Sequence, residues 1–201
     1  MSMADLLTQI VSSQLTKTAS QKTGLSEGVA AKLMPVAMAA ILGGLKKNAS
    51  SPAGAEALAN ALRKHDGGFL SDVSRAGQDE VMSDGRKILG HVFGPKQSQM
   101  EAAIAKTGGG IDASQIAALL AMAAPAVLAA LGKAQREQGL DARALPNLLQ
   151  KETERATAGG INLGGLMSVL DTDGDGRISA AEMSRGKGLL SGLASMFGRK
   201  S

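Results

Sequence analysis

The run IAALLAMAAPAVLAALG, residues 116–132, holds seventeen residues without a charge or a hydroxyl, and every other apolar run in the chain is shorter or broken by polar groups. A helix that is apolar on all sides belongs either in a protein core or in a membrane. The run falls short of the roughly 20 apolar residues that a membrane span needs, and about half of it is alanine. It therefore reads as the central buried helix of a soluble all-α domain. Composition points the same way. The 201 residues include ten Met and three Phe but no Trp or Tyr, and Ala and Leu dominate an apolar content of 44%. Such residues favour helix over strand. A core without large aromatic rings has to close by packing small residues against small residues.

Start and stop signals divide the chain into helices around that run. Leu6, Leu7, Ile10, Val11 and Leu15 share one face of a helix over residues 3–19, ended by Gly24. Ser26 caps a helix from 27 to about 46, which carries Leu33, Met34, Ile41, Leu42 and Leu45. Pro35 lies well inside it, removes a backbone donor and crowds the carbonyl of Ala31, so a kink or break is expected. Ser51 and Pro52 open a helix over 52–64. Residues 65–83 read as a long polar loop with room for one short turn of helix, and Asp84 as the start of a helix that runs to Phe93 and stops at Gly94 and Pro95. A further helix spans 96–106. Asp112 and Gln115 form a capping box for the central helix, which meets the same proline problem at Pro125. Asp141 caps a helix over 142–156. Ala158, Gly159 and Gly160 read as a hinge to a glycine-rich tail.

Laying 24–47 on 110–133 shows an internal repeat. Gly24, Leu33, Ala40, Leu42 and Leu45 meet identical residues at Gly110, Leu119, Ala126, Leu128 and Leu131, and the cap Ser26 meets the cap Asp112. The prolines do not superpose. The expected architecture is an all-α multihelical bundle built from two similar helical units, about 5–94 and 95–157, which bury their central helices face to face. Residues 158–201 follow as a C-terminal segment with an EF-hand-like loop and a tail.

The segments GLSEGVAAKLMPVAMAAILGGLKKN, SPAGAEALANAL, DGRKILGHVFG and IDASQIAALLAMAAPAVLAALGK resemble the YidB-like group of bacterial proteins of unknown function. The resemblance covers roughly residues 5–133, and DGRKILGHVFG (84–94) is its most recognisable part. It implies a small, bacterial, all-helical protein without an assigned activity, and it carries no functional residues over to this chain. A tail with a DxDGDG-like stretch fits the group as well. The full loop with its closing glutamate goes beyond what the group requires.

That loop, DTDGDGRISAAE at 171–182, fits the twelve-residue calcium pattern D-x-[DN]-x-[DN]-G-x5-E at every specified position. Calcium takes six to eight hard oxygens at about 2.3–2.6 Å, and a chain supplies them by curling around the ion. Asp171, Asp173 and Asp175 would offer carboxylates, Gly176 the sharp turn and Arg177 its backbone carbonyl. Ser179 would ligate directly or through water, and Glu182 would close the site with both oxygens. Four carboxylates on so short a segment repel one another unless a cation is present. Two features set this loop apart from a complete hand. Its flanks contain Gly164, Gly165, Gly186 and Gly188, and no second loop is present to pair with Ile178. The loop therefore pairs between molecules or works as a weaker structural site.

Other chemistries find little support. The absence of cysteine excludes disulfides, thiolate catalysis and zinc–thiolate sites. A net charge of +4 is spread over small clusters such as Lys46 with Lys47 and Arg86 with Lys87, without the interleaved aromatics of a base-stacking surface. Nucleic acid is not an expected partner. His91 reads as a packed helix residue, no nucleophile sits beside a base, and the glycines 108–110 lack the Lys and Ser/Thr of a phosphate loop. An N-terminus with Asp5 ahead of its apolar positions and no basic stretch is not a secretory signal, so the expected location is cytoplasmic. The leading expectation is a calcium-binding protein that acts by interaction or scaffolding, with a protein partner or a second copy of itself, and not an enzyme. The runner-up is a peripheral membrane or envelope protein. Leu189, Leu190, Leu193, Met196 and Phe197 share one face of a tail with a basic end, which suits a lipid surface or a partner groove, although docking on the main domain is the first expectation for that face. An unrecognised enzyme comes third.

Overall fold

The computed structural model describes residues 13–65 and 68–158. These form helices α1 (Ser13–Thr23), α2 (Glu27–Asn48), α3 (Pro52–Lys64), the single turn α4 (Gly68–Ser71), a 3-10 turn (Val73–Gly77) and α5 (Asp79–Phe93). A second 3-10 turn (Gly94–Lys96), α6 (Gln97–Thr107), α7 (Ala113–Glu137) and α8 (Leu145–Ala158) complete the order. There is no strand among the described residues. Leu6, Leu7, Ile10 and Val11 lie outside them, as does the segment from 159 onward.

The helix boundaries follow from local chemistry. Gly24, at φ +72°, supplies the left-handed residue that ends α1. Ser26 Oγ accepts from the Val29 amide at 3.4 Å and Ser51 Oγ from the Gly54 amide at 3.1 Å, with Pro52 at the first helical position of α3. Asp112 Oδ1 accepts from the Ser114 amide at 3.4 Å, and Asp141 Oδ1 from the Ala144 amide at 3.0 Å in the turn that leads into α8. The expected capping box is only half formed. Gln115 Nε2 donates instead to the Thr23 carbonyl at 2.8 Å. That carbonyl is one of the unsatisfied acceptors at the end of α1. Asp112 itself is exposed. The long-range bond ties the start of α7 to the end of α1.

Two expectations need correction. Neither proline breaks its helix: α2 runs through Pro35 and α7 through Pro125. Within 65–83 the expected short helical turn is present as α4, but a 3-10 turn follows it and α5 begins at Asp79 rather than Asp84, so the loop is shorter than expected. Asp79 and Glu80 place negative charge in the first turn of α5, where the helix dipole favours it, and Met82 is buried. Ala76 in the 3-10 turn has no exposure, so this polar stretch is anchored by a few small apolar contacts that periodicity does not reveal.

The core is built around α7, which packs against α1 to α6 and against the first 3-10 turn. Every residue from 119 to 132 is buried, and Leu119, Leu120, Met122 and Leu131 have no exposure. Burial of such side chains contributes about 1.5–3 kcal/mol each. α2 lies against α7 and also carries α8. Close packing rests on glycines. A methyl group on Gly85 of α5 would stand 1.8 Å from the Ala121 carbonyl oxygen of α7. One on Gly132 would stand 2.3 Å from the His65 carbonyl oxygen at the end of α3. Asn48, closing α2, donates from Nδ2 to the carbonyls of His91 and Val92 at 3.1 and 3.2 Å, and so caps the far end of α5.

Two glycines of α5 therefore have opposite roles. Gly85→Ala forces a methyl onto backbone and is expected to cost about 1–3 kcal/mol, although alanine in a helix normally gains roughly 1 kcal/mol over glycine. Gly90→Ala, with no heavy atom within 4 Å of the new methyl, is expected to stabilise by about 0.5–1 kcal/mol. Denaturant unfolding of both variants checks this, and equal shifts in the same direction would show that α5 is not seated on α7 as described.

Candidate functional site

The six residues expected to hold calcium, Asp171, Asp173, Asp175, Arg177, Ser179 and Glu182, lie outside the described residues, as does the apolar face of the tail from Leu189 to Phe197. Among the described residues no three His, Asp or Glu side chains come together in a group that could hold a metal ion. His91 is exposed on α5, not packed, and only its backbone carbonyl is engaged, by Asn48.

The described residues do form one charged recess that spacing along the chain does not announce. It is an open cleft of about 290 Å³ where the end of α3, α4, the first 3-10 turn and the start of α5 meet the middle of α7. Phe69 and Val81 supply apolar surface, and Pro125 and Ala129 of α7 form the remainder of that floor. The lining carries charges of both signs. Glu80 and Asp84 stand one helical turn apart on α5, which puts both carboxylates on the same face. Lys64, closing α3, and Arg75, in the 3-10 turn, are its cations. His65 Nδ1 stands 4.0 Å from Asp84 Oδ2, with the two side chains 24% and 48% exposed. Arg75 Nε donates to Gln78 Oε1 at 3.3 Å, which fixes one edge of its guanidinium. These side chains come from separate elements, and no single motif could have signalled them. In the sequence Asp84 stood out only as a helix start and Pro125 only as an interior proline.

The helices that enclose this recess fall within a recognisable family. A family model described as bacterial protein of unknown function (DUF937) matches residues 5–134. The chain belongs to this family. No curated protein and no solved structure matches it. The matched stretch takes in every residue that lines the cleft and ends inside α7, so that α8 and residues 159–201 fall beyond it. Two helices, α2 and α7, are long and apolar enough to cross a membrane by length and composition, but 67% and 83% of their most apolar windows are buried by the other helices of the chain.

Beyond the matched stretch, α8 holds a buried acid. Glu152 is 3% exposed and accepts from Arg155 Nη1 at 2.5 Å, while the Arg155 side chain is 54% exposed. Burial raises the Glu152 carboxyl above its ordinary value of 4.5, and the charge and hydrogen bond of Arg155 offset this only in part. A carboxyl with a raised folded-state pKa favours folding while it is protonated. That contribution is present below the unfolded value and is lost as pH rises through the folded one. Glu152→Gln removes the titration. The variant is therefore expected to gain stability relative to the parent as pH rises from about 4 to about 7. Paired melting curves across that range check the sign, and a parent that gains on the variant with rising pH would contradict it.

Proposed function

We propose that the protein is a calcium-binding helical module that acts through interaction or scaffolding rather than catalysis. The observation that carries this reading is the stretch 171–182, in which Asp171, Asp173, Asp175, Gly176 and Glu182 occupy every specified position of the calcium loop. Arg177 contributes its backbone carbonyl and Ser179 its hydroxyl or a bound water, so a single ion meets an all-oxygen cage with strong negative charge. The sequence carries no recognisable nucleophile–base motif. Within the bacterial family, the likeness of the 84–94 stretch supports placing the chain with the YidB-like group.

The remainder of the proposal concerns architecture and location. The helical part comprises two units, about 5–94 and 95–157, related by duplication. The identities between 24–47 and 110–133 support this, as do the side-chain caps Ser26 and Asp112 at the heads of two helices that pack on one another. A cytoplasmic location is supported by the sheathing of α2 and α7, since their apolar surfaces are largely taken up by neighbouring helices. Arg63, Lys64, Arg86 and Lys87 are exposed on the sheathing helices, where a lipid contact would be unfavourable for them.

Calorimetric titration of the full chain with calcium tests the central reading. One site is expected, with a Kd of about 10⁻⁵ to 10⁻³ M, looser than paired sensor loops because the loop is alone and its glycine-rich flanks must be ordered on binding. Saturation at a hundredfold excess over Kd should stabilise the fold that holds the ion by about 2.7 kcal/mol. Glu182→Gln should weaken binding most, since it removes charge from the ligand that closes the cage, and Asp171→Asn next. A parent protein with no calcium heat and no calcium-dependent shift in melting at millimolar ion would end the calcium reading.

A further inference from the structure

We propose that the cleft between α3, the first 3-10 turn, α5 and α7 binds a small zwitterion of the kind represented by a free amino acid with an apolar side chain. Three observations converge on this ligand chemistry. The first is that the lining carries charge of both signs: the acids Glu80 and Asp84 stand on α5, and the cations Lys64 and Arg75 come from other elements. A ligand of one sign would meet a repelling pair whichever way it lay, whereas one with an ammonium and a carboxylate finds a partner for each. The second is availability. Among the described residues Lys64 and Glu80 have no ion-pair or hydrogen-bond partner, and Asp84 meets only His65, at the 4.0 Å limit of an ion pair. Groups of opposite sign that share a recess without pairing to one another are free to pair with a solute. The third is the floor. Phe69, Val81, Pro125 and Ala129 offer an apolar seat with no polar side chain among them. A volume of about 290 Å³ lies at the lower end of the roughly 300–1,000 Å³ of ligand pockets, which suits a small solute.

In this proposal the ligand ammonium pairs with a carboxylate of α5, Glu80 or Asp84, its carboxylate with Lys64 or Arg75, and its side chain with the apolar lining residues. None of residues 171–182 is among the described residues that line the cleft.

Amide chemical-shift titration of the full-length protein with L-leucine, at millimolar concentration and without calcium, tests the proposal. Shifts are expected at His65, Val81, Asp84 and Ala129. N-acetyl-leucine lacks the ammonium and leucine amide lacks the carboxylate, and each is expected to bind about tenfold more weakly or worse. Glu80→Gln and Lys64→Met each alter an exposed side chain without a partner. They should leave melting unchanged while weakening leucine by a similar factor. Dileucine serves as the second source of the same chemistry, and tighter binding of it than of leucine would make the ligand a peptide end rather than a free amino acid, with the charge pairing intact. Absence of shifts at these amides, or equal binding of leucine and both blocked forms, would overturn the proposal.

Discussion

The fold depends on what happens to one carbonyl. Pro125 has no N–H, so the Ala121 carbonyl one turn earlier in α7 loses its helical partner. Ala121 is fully buried, and a buried acceptor without a partner is costly. The chain answers with Gly85 of α5, whose missing side chain lets the α5 backbone lie directly on that oxygen. There the Cα–H groups of glycine can act as weak donors. Pro35 poses the same problem in α2 and has a different solution: its freed carbonyl belongs to Ala31, which is exposed and open to water. A proline in a surface-facing stretch of helix needs no partner helix, whereas one in the core fixes where the next helix must sit.

Much else follows from that seat. Val81 and Asp84 precede Gly85 on α5 and line the cleft, whose floor includes Pro125 itself. The recess is therefore placed by the same contact that seats α5. At the other end of α5, Asn48 holds the last carbonyls and couples the helix to the end of α2. Gly132 plays a comparable part farther along α7, where it admits the last turn of α3 and so sets the position of Lys64 and His65. A core made of Ala, Leu and Met has few large shapes to lock its helices in register. Backbone approaches at glycine supply that specificity.

The features legible in the sequence were those that act over a few residues. Ser26, Ser51, Asp112 and Asp141 cap as their identities imply, and the apolar run 116–132 lies at the centre of the core. What escaped acts between segments. Gln115 leaves its local cap for a carbonyl 92 residues earlier in the chain. The first turns of α5 carry Asp79, Glu80, Ser83 and Asp84, and their outward polarity resembles a loop until the burial of Met82 is known. The cleft residues span 64 to 129, so no window of sequence contains the site. The calcium pattern is the reverse case: it is written entirely in contiguous residues, which lie outside the described residues.

The helical body thus offers a rigid base with a small charged recess, and the chain continues past α8 toward the proposed calcium loop. With α7 packed against α1 to α6, it should be the last part of the body to open. Native-state hydrogen exchange measures this directly. If α7 is the hub, its amides over 119–131 should exchange only through global unfolding, with an exchange free energy equal to that of denaturant unfolding and at least as high as in α5 and α6. Exchange of those amides through a smaller opening, at lower free energy than in the helices around them, would contradict a fold organised on α7.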